Sequence, residues 1–245
     1  MGGLGNQLFQ YALVRSIQNR FNIKYKFDLS WFEEPLNIHR PYMLDKFNIN
    51  PEIAAKDDIL NLIEKFWSGT LENFYKDLNS GSINDDLIIS DVTDMRYKPS
   101  IMGVKKSAYF NGYWQSEKYF ITNRHLLLKE IIYNKSLNKN TESLLEQIKK
   151  SKSVAVHIRR TGQKWKNSEH NPDSIDTHGL LDLDYYYTGL DYIHKIHDNL
   201  KIFIFSDQID WVEQKFTYPG EITFVNNDDL IDGDLIDFII MKSCK

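Results

Sequence analysis

The sequence predicts an α/β protein whose second half is a Rossmann-like succession of parallel strands and helices. Apolar runs of strand length stand at 153–158, 201–206 and 221–225. Helical patterns separate and follow them at 184–197, 209–216 and from 230 onward. The first two runs end in chemistry-bearing residues, Arg159-Arg160 and Ser206-Asp207. Short runs rich in β-branched residues suit strands covered on both faces, as strands of a parallel sheet are. Alternation of such strands with helices is the mark of an α/β domain.

At 245 residues the chain has room for one large or two modest domains. The polar stretch 134–140 is the candidate boundary, giving domains at 1–135 and 136–245. Charge is nearly balanced, 30 basic against 34 acidic residues, net −4. That balance argues against a general nucleic-acid binder. The single Cys244 excludes an intramolecular disulfide and fits a reducing compartment. Neither a cleavable signal sequence nor an apolar run long enough to span a bilayer is present. A soluble, cytoplasmic protein is the expectation.

Taken in order, the chain opens on the glycine-rich turn Met1-Gly-Gly-Leu-Gly-Asn-Gln7 and passes into a helical pattern with Leu8, Ala12, Ile17 and Phe21 on one side. Glycines let backbone approach a ligand closely, and a helix start offers free N–H groups to an anion. The spacing is not that of a dinucleotide-binding fingerprint. Residues 23–29 alternate apolar and polar and read as a strand. The stretch 52–67 has helical spacing, whereas 68–94 reads as polar with a turn at 79–82. Tyr109 and Phe110 end a further strand, Gly112 marks a turn, and Ser116 is placed to cap a helix from Glu117. The aromatics at 109–120, with Gln115 beside them, suit either a sugar-binding platform or plain core. Residues 117–132 and 141–150 then read as helices.

Ser153-Val-Ala-Val-His-Ile-Arg-Arg160 is the stretch around which the second half is arranged. In open α/β sheets the ligand lies beyond the carboxyl ends of the strands, so Arg159 and Arg160 are expected there. Two arginines suit a diphosphate, because each guanidinium is permanently charged and donates hydrogen bonds in pairs. Surface charges ending a strand would look the same in isolation. Asp207 should emerge on the same edge if both strands are parallel. It would either accept paired hydrogen bonds from a guanine edge or a ribose, or cap the helix at 208–209. Loop 161–181 carries Trp165, Glu169, His170, Asp173, Asp176 and His178, with no compact metal-ligand spacing. Asp232-Gly-Asp234 reads as an acidic helix start before it reads as a metal-binding pair. No metal site is expected.

Gly2-Gly-Leu-Gly-Asn-Gln-Leu-Phe-Gln-Tyr-Ala12 and His157-Ile-Arg-Arg160 together resemble the bacterial α-1,2-fucosyltransferase family. Gly112-Tyr-Trp-Gln-Ser-Glu-Lys-Tyr-Phe120, Phe205-Ser-Asp207 and the helix from Asp234 are similar to further family segments, in the same order. The resemblance implies a GT-B-like fold of two Rossmann-like lobes, an acceptor-side lobe first and a donor-binding lobe second. It also implies transfer of L-fucose from GDP-fucose to an oligosaccharide acceptor, typically galactose O2, with inversion and without a metal or other cofactor. On that pattern Arg159 binds the donor phosphates, His157 lies near the nucleotide, and Arg160 and Asp207 complete the donor site. Asn6 is the second catalytic candidate, with Gly3, Gly5 and Gln7 lining the cleft; no general base is singled out. Peripheral attachment to the inner membrane is compatible with such an enzyme.

Three departures accompany the resemblance. Thr161-Gly162 stands where the family carries Gly-Asp, and Gln208 replaces a second acid. Family members also carry a strand before the glycine turn and a donor-binding segment beyond the last helix, so an incomplete C-terminal lobe is expected. The alternatives are a non-catalytic nucleotide-binding remnant, or a transferase using another sugar nucleotide.

Overall fold

The computed structural model describes the whole chain except residues 38–39, 92–93, 161–180, 228–231 and 245. The chain divides into two compact units, Met1–Lys135 and Ser136–Lys245.

In the first unit, α1 (Leu4–Phe21) starts directly after Gly3 and buries Leu8, Tyr11, Leu13 and Ile17, which cover most of its circumference. It ends at Asn22 in the left-handed region (φ 51), whose N–H donates to the Gln18 carbonyl. A single turn, α2 (Ser30–Glu33), and then α3 (Lys56–Ile63) and α4 (Leu71–Ser80) follow. Thr70 Oγ1 caps α4 by accepting the Asn73 N–H at 3.3 Å, and Gly81 (φ 72) stops it. Two short parallel strands pair in register, β1 (Ile88–Ser90) with β2 (Tyr109–Asn111). A last helix, α5 (Arg124–Glu130), closes the unit.

Three expectations change here. Of the segment 23–29, only Phe27 forms a β-pair, with Ile53: its N–H reaches the Glu52 carbonyl at 2.8 Å and its carbonyl accepts from Ala54. A cavity of about 910 Å³ is lined both by this segment and by 107–112, so the alternating pattern has no ladder to join on that side. The stretch around 71–80, read as polar, is helical because Leu71, Phe74 and Leu78 stand three and four residues apart. The single helix expected over 117–132 is instead two tight turns, Glu117–Tyr119 and Ile121–Asn123, then α5. Ser116 makes no side-chain capping bond there.

Asp91 fixes the turn after β2. It is 1 % exposed; its Oδ1 accepts the Tyr113 N–H at 2.7 Å and its Oδ2 the Trp114 N–H at 2.6 Å. Trp114 is held at φ 57, and a Cβ on Gly112 would fall on the Asp91 carboxylate.

In the second unit, α6 (Lys139–Lys149) is capped by Asn138, whose Oδ1 accepts the Thr141 N–H at 2.8 Å. Then come β3 (Lys152–Ile158), α7 (Leu183–His194), β4 (Leu200–Ser206), α8 (Ile209–Lys215), β5 (Glu221–Phe224) and α9 (Gly233–Met241). The strands form one parallel sheet in the order β3-β4-β5. Central β4 buries Ile202, Phe203, Ile204 and Phe205 to 1 % exposure or less, so successive residues on both faces are covered. At the start of α9 a Cβ on Gly233 would strike the Asn227 carbonyl, and Asp232 makes no side-chain capping bond. Among the described residues no helix is long and apolar enough to cross a membrane.

Replacing Asp91 by Ala removes two charge-assisted hydrogen bonds and strands two N–H groups. Urea unfolding should show a loss of roughly 2–4 kcal/mol, with Asp91→Asn losing less.

Candidate functional site

The site in the second unit follows from strand register. Ile158 of β3 pairs with Ser206 of β4, so Arg159 and Asp207 leave the sheet side by side at one edge. The Arg160 backbone N–H then donates to Asp207 Oδ1 at 2.8 Å. Ser206 Oγ donates to the Ile158 carbonyl at 2.6 Å and accepts from the Gln208 N–H at 3.0 Å. Both strand ends are thereby tied together where a ligand would meet them. Asp207 does not cap α8, one of the two roles open to it from sequence; its first oxygen goes to β3. Its second oxygen, Oδ2, is buried and has no hydrogen-bond partner among the described residues.

The two arginines divide. The Arg160 guanidinium lies over the Trp211 ring, 4.0 Å from its centroid, a stacking geometry that fixes the side chain. Arg159 is exposed, and no described residue pairs with its guanidinium. His157 shares its strand face with Arg159, two residues on. The histidine keeps more than a third of its surface accessible, yet neighbouring protein desolvates the ring and lowers its pKa. Asp207 pulls that pKa back up and Arg159 pushes it down again. The histidines and carboxylates noted in loop 161–181 lie, apart from Leu181 itself, outside the described residues, as do Thr161 and Gly162.

The glycine turn of the first unit is built around Asn6 and Gln7. Gly2 sits at φ 79, and a Cβ there would come within 2.5 Å of Asn6 Nδ2. Asn6 Oδ1 accepts from Gln115 Nε2 at 2.7 Å, joining the turn to the segment held by Asp91. Gln7 is 2 % exposed and fully engaged: Nε2 donates to the Gly2 and Pro41 carbonyls, and Oε1 accepts the Met43 N–H. It braces the turn with its amide fully bonded, and it also lines the cavity of about 910 Å³ in the first unit. Gly5 is exposed on α1 and Gly3 is half-buried, and a Cβ built on either would meet nothing within 4 Å among the described residues.

The whole chain, residues 1–245, matches the family model described as glycosyl transferase family 11. The chain belongs to this family. Among curated relatives, an Escherichia coli alpha-1,2-colitosyltransferase is 30 % identical over all of this chain and 79 % of its own length. The O-antigen biosynthesis glycosyltransferase WbnK of the same species is 24 % identical, over all of this chain and 82 % of itself. Among solved structures, the fucosyltransferase NodZ from Bradyrhizobium superposes with a TM-score of 0.50 at 16 % identity, covering 99 % of this chain and 83 % of NodZ. The α/β fold with parallel sheets is thus similar to that of NodZ.

The sequence pattern places Arg159, Arg160 and Asp207 at strand ends and Asn6 in the glycine turn, but does not show their contacts. Trp211 under Arg160 and Gln115 beside Asn6 each lie far along the chain from their partners. A second carboxylate cluster, around half-buried Asp28, was missed altogether. Asp28 Oδ2 accepts from the Tyr75 and Tyr109 hydroxyls at 2.8 and 2.6 Å, and its Oδ1 accepts the Ser30 N–H at 2.9 Å. Burial, with the Asp28 charge, holds the Tyr109 hydroxyl well above the usual phenol pKa. The only sequence signal was Asp-Leu-Ser, a common turn.

The two glycines of the turn should respond with opposite signs. Gly2→Ala should lose roughly 1–3 kcal/mol through strain and contact with Asn6, whereas Gly5→Ala should gain about 0.5–1 kcal/mol of helix stability, both read by denaturant unfolding. Because the folded state depresses the His157 pKa, its contribution to stability is complete above pH 6.5 and lost as pH falls below it. Stability measured across that window should therefore fall less for His157→Gln than for the natural chain.

Proposed function

We propose that this family 11 glycosyltransferase moves L-fucose from GDP-fucose to a galactoside hydroxyl in α-1,2 linkage, with inversion and without a metal ion. The observation that carries the reading is the edge of the β3-β4-β5 sheet. There an exposed, permanently cationic Arg159 leaves the sheet beside Asp207, whose buried Oδ2 has no hydrogen-bond partner among the described residues. Cleaving the sugar–phosphate bond builds negative charge on GDP and positive charge on the sugar ring. Arg159 would stabilise the departing diphosphate through paired, charge-assisted hydrogen bonds. Asp207 Oδ2 would accept from the ribose or the guanine edge. Arg160, clamped on Trp211 and bonded through its backbone to Asp207, would hold this arrangement in shape and add positive potential. His157, biased toward the neutral form, would contribute a hydrogen bond rather than charge. On the first unit, Asn6 and Gln115 would bind acceptor hydroxyls, with Gly3 and Gly5 leaving the helix surface open to a sugar.

The same site supports a second donor. The relative at 30 % identity is named a colitosyltransferase, and colitose is the 3-deoxy counterpart of fucose. The diphosphate and nucleoside contacts proposed here are common to both donors, so the choice rests with contacts to the sugar 3-hydroxyl.

GDP should raise the melting temperature of the natural chain, and Arg159→Ala should abolish both that shift and transfer. Asp207→Asn should leave the melting temperature without GDP nearly unchanged and weaken the response. Radiolabelled GDP-fucose and GDP-colitose, offered with β-galactosides, distinguish the two donors by product. An Arg159→Ala chain that still responds to GDP would overturn the assignment. Asn6→Ala should lower kcat/KM for the acceptor at least tenfold while leaving the GDP response intact.

A further inference from the structure

We propose that the surface of α5 and its flanking turns in the first unit binds anionic lipid. Ile121, Leu128 and Ile132 are 56 %, 58 % and 46 % exposed, although large aliphatic side chains are ordinarily withdrawn from water. They lie within twelve residues of one another, Ile121 in the tight turn before α5, Leu128 on α5 and Ile132 just past its end. Leu127, next to Leu128 on α5, is 5 % exposed and supplies the core.

Charge selects the occupant. Exposed cations flank the ridge at Lys118, Arg124, Lys129 and Lys135. Of the two acids in the same stretch, Glu130 is turned inward. Its carboxylate takes a paired bond from Arg15 and a 2.6 Å bond from the Tyr11 hydroxyl. That leaves Glu117 against four cations. Apolar side chains set among lysine and arginine are the pattern of a protein lying on a negatively charged bilayer. The second exposed ridge of the chain makes the contrast. Tyr185, Tyr192 and Ile196 are 62 %, 66 % and 59 % exposed, but Asp182, Asp184, Asp191 and Asp198 accompany them. A negative surface would repel that face.

The inference goes beyond the sugar-nucleotide reading and does not rest on it, since lipid binding requires no donor. The test is co-sedimentation of the 245-residue chain with phosphatidylglycerol-containing vesicles and with pure phosphatidylcholine vesicles. Binding should be confined to the anionic vesicles and weaken as salt rises. Arg124→Glu/Lys129→Glu should reduce the partition coefficient roughly tenfold or more. Ile121→Ser/Leu128→Ser/Ile132→Ser should reduce it comparably, while both variants keep the natural melting temperature and GDP response. Equal binding to neutral vesicles, no binding to either, or partition unaffected by the variants would overturn the proposal. So would gel filtration in which the serine variant splits an oligomer, because the ridge would then seat a second copy of the chain.

Discussion

A single hydrogen bond, from the Arg160 backbone N–H to Asp207 Oδ1, joins the two strand ends on which the proposed chemistry depends. It forms because β3 and β4 are parallel and paired Ile158 to Ser206. A slip of one residue in that register would turn every side chain of β3 to the other face. The register is protected by burial: Ile158, Ile202 and Ile204 are all at 0 % exposure, so a slip would drag core residues into water. The precision of the charged edge is therefore a consequence of apolar packing several residues away.

The two units use one device in different guises. In each, the oxygen of a side-chain carboxylate or amide accepts one or two backbone N–H groups and fixes a turn that carries a polar side chain open at least in part to solvent. Asp207 does this for the end of β3, Asp91 for the turn leading to Gln115, and Gln7 for the glycine turn bearing Asn6. Such groups are costly to bury unless their bonding is complete. Gln7 and Asp91 meet that requirement within the protein. Asp207, with Oδ2 unpartnered among the described residues, does not, which is what makes it informative about function.

Where burial dictates structure, the sequence was readable. The second-unit strands are short apolar runs, the central β4 covered on both faces, and their parallel order follows from the helices between them. Residues 23–29 alternate as a strand should, but a strand exists only with a neighbour, and the pattern says nothing of the open space beside Phe27. Helix α4 was hidden because three apolar residues suffice for a helix that packs on one side. Phe120, at φ −139, breaks what periodicity alone joins into one helix over 117–132. Within the site, Arg159 and Asp207 were legible because strand ends in α/β sheets have a known relation to ligands. The stacking of Arg160 on Trp211, and the bond between Asn6 and Gln115 across 109 residues, depend on tertiary geometry that no local pattern records.

The most direct test of the central claim is backbone amide exchange, followed residue by residue with and without GDP. Slowed exchange at 157–160 and 205–208, centred on the Arg160 amide, is the predicted result. Binding that leaves those amides unchanged and protects other segments instead would contradict the account.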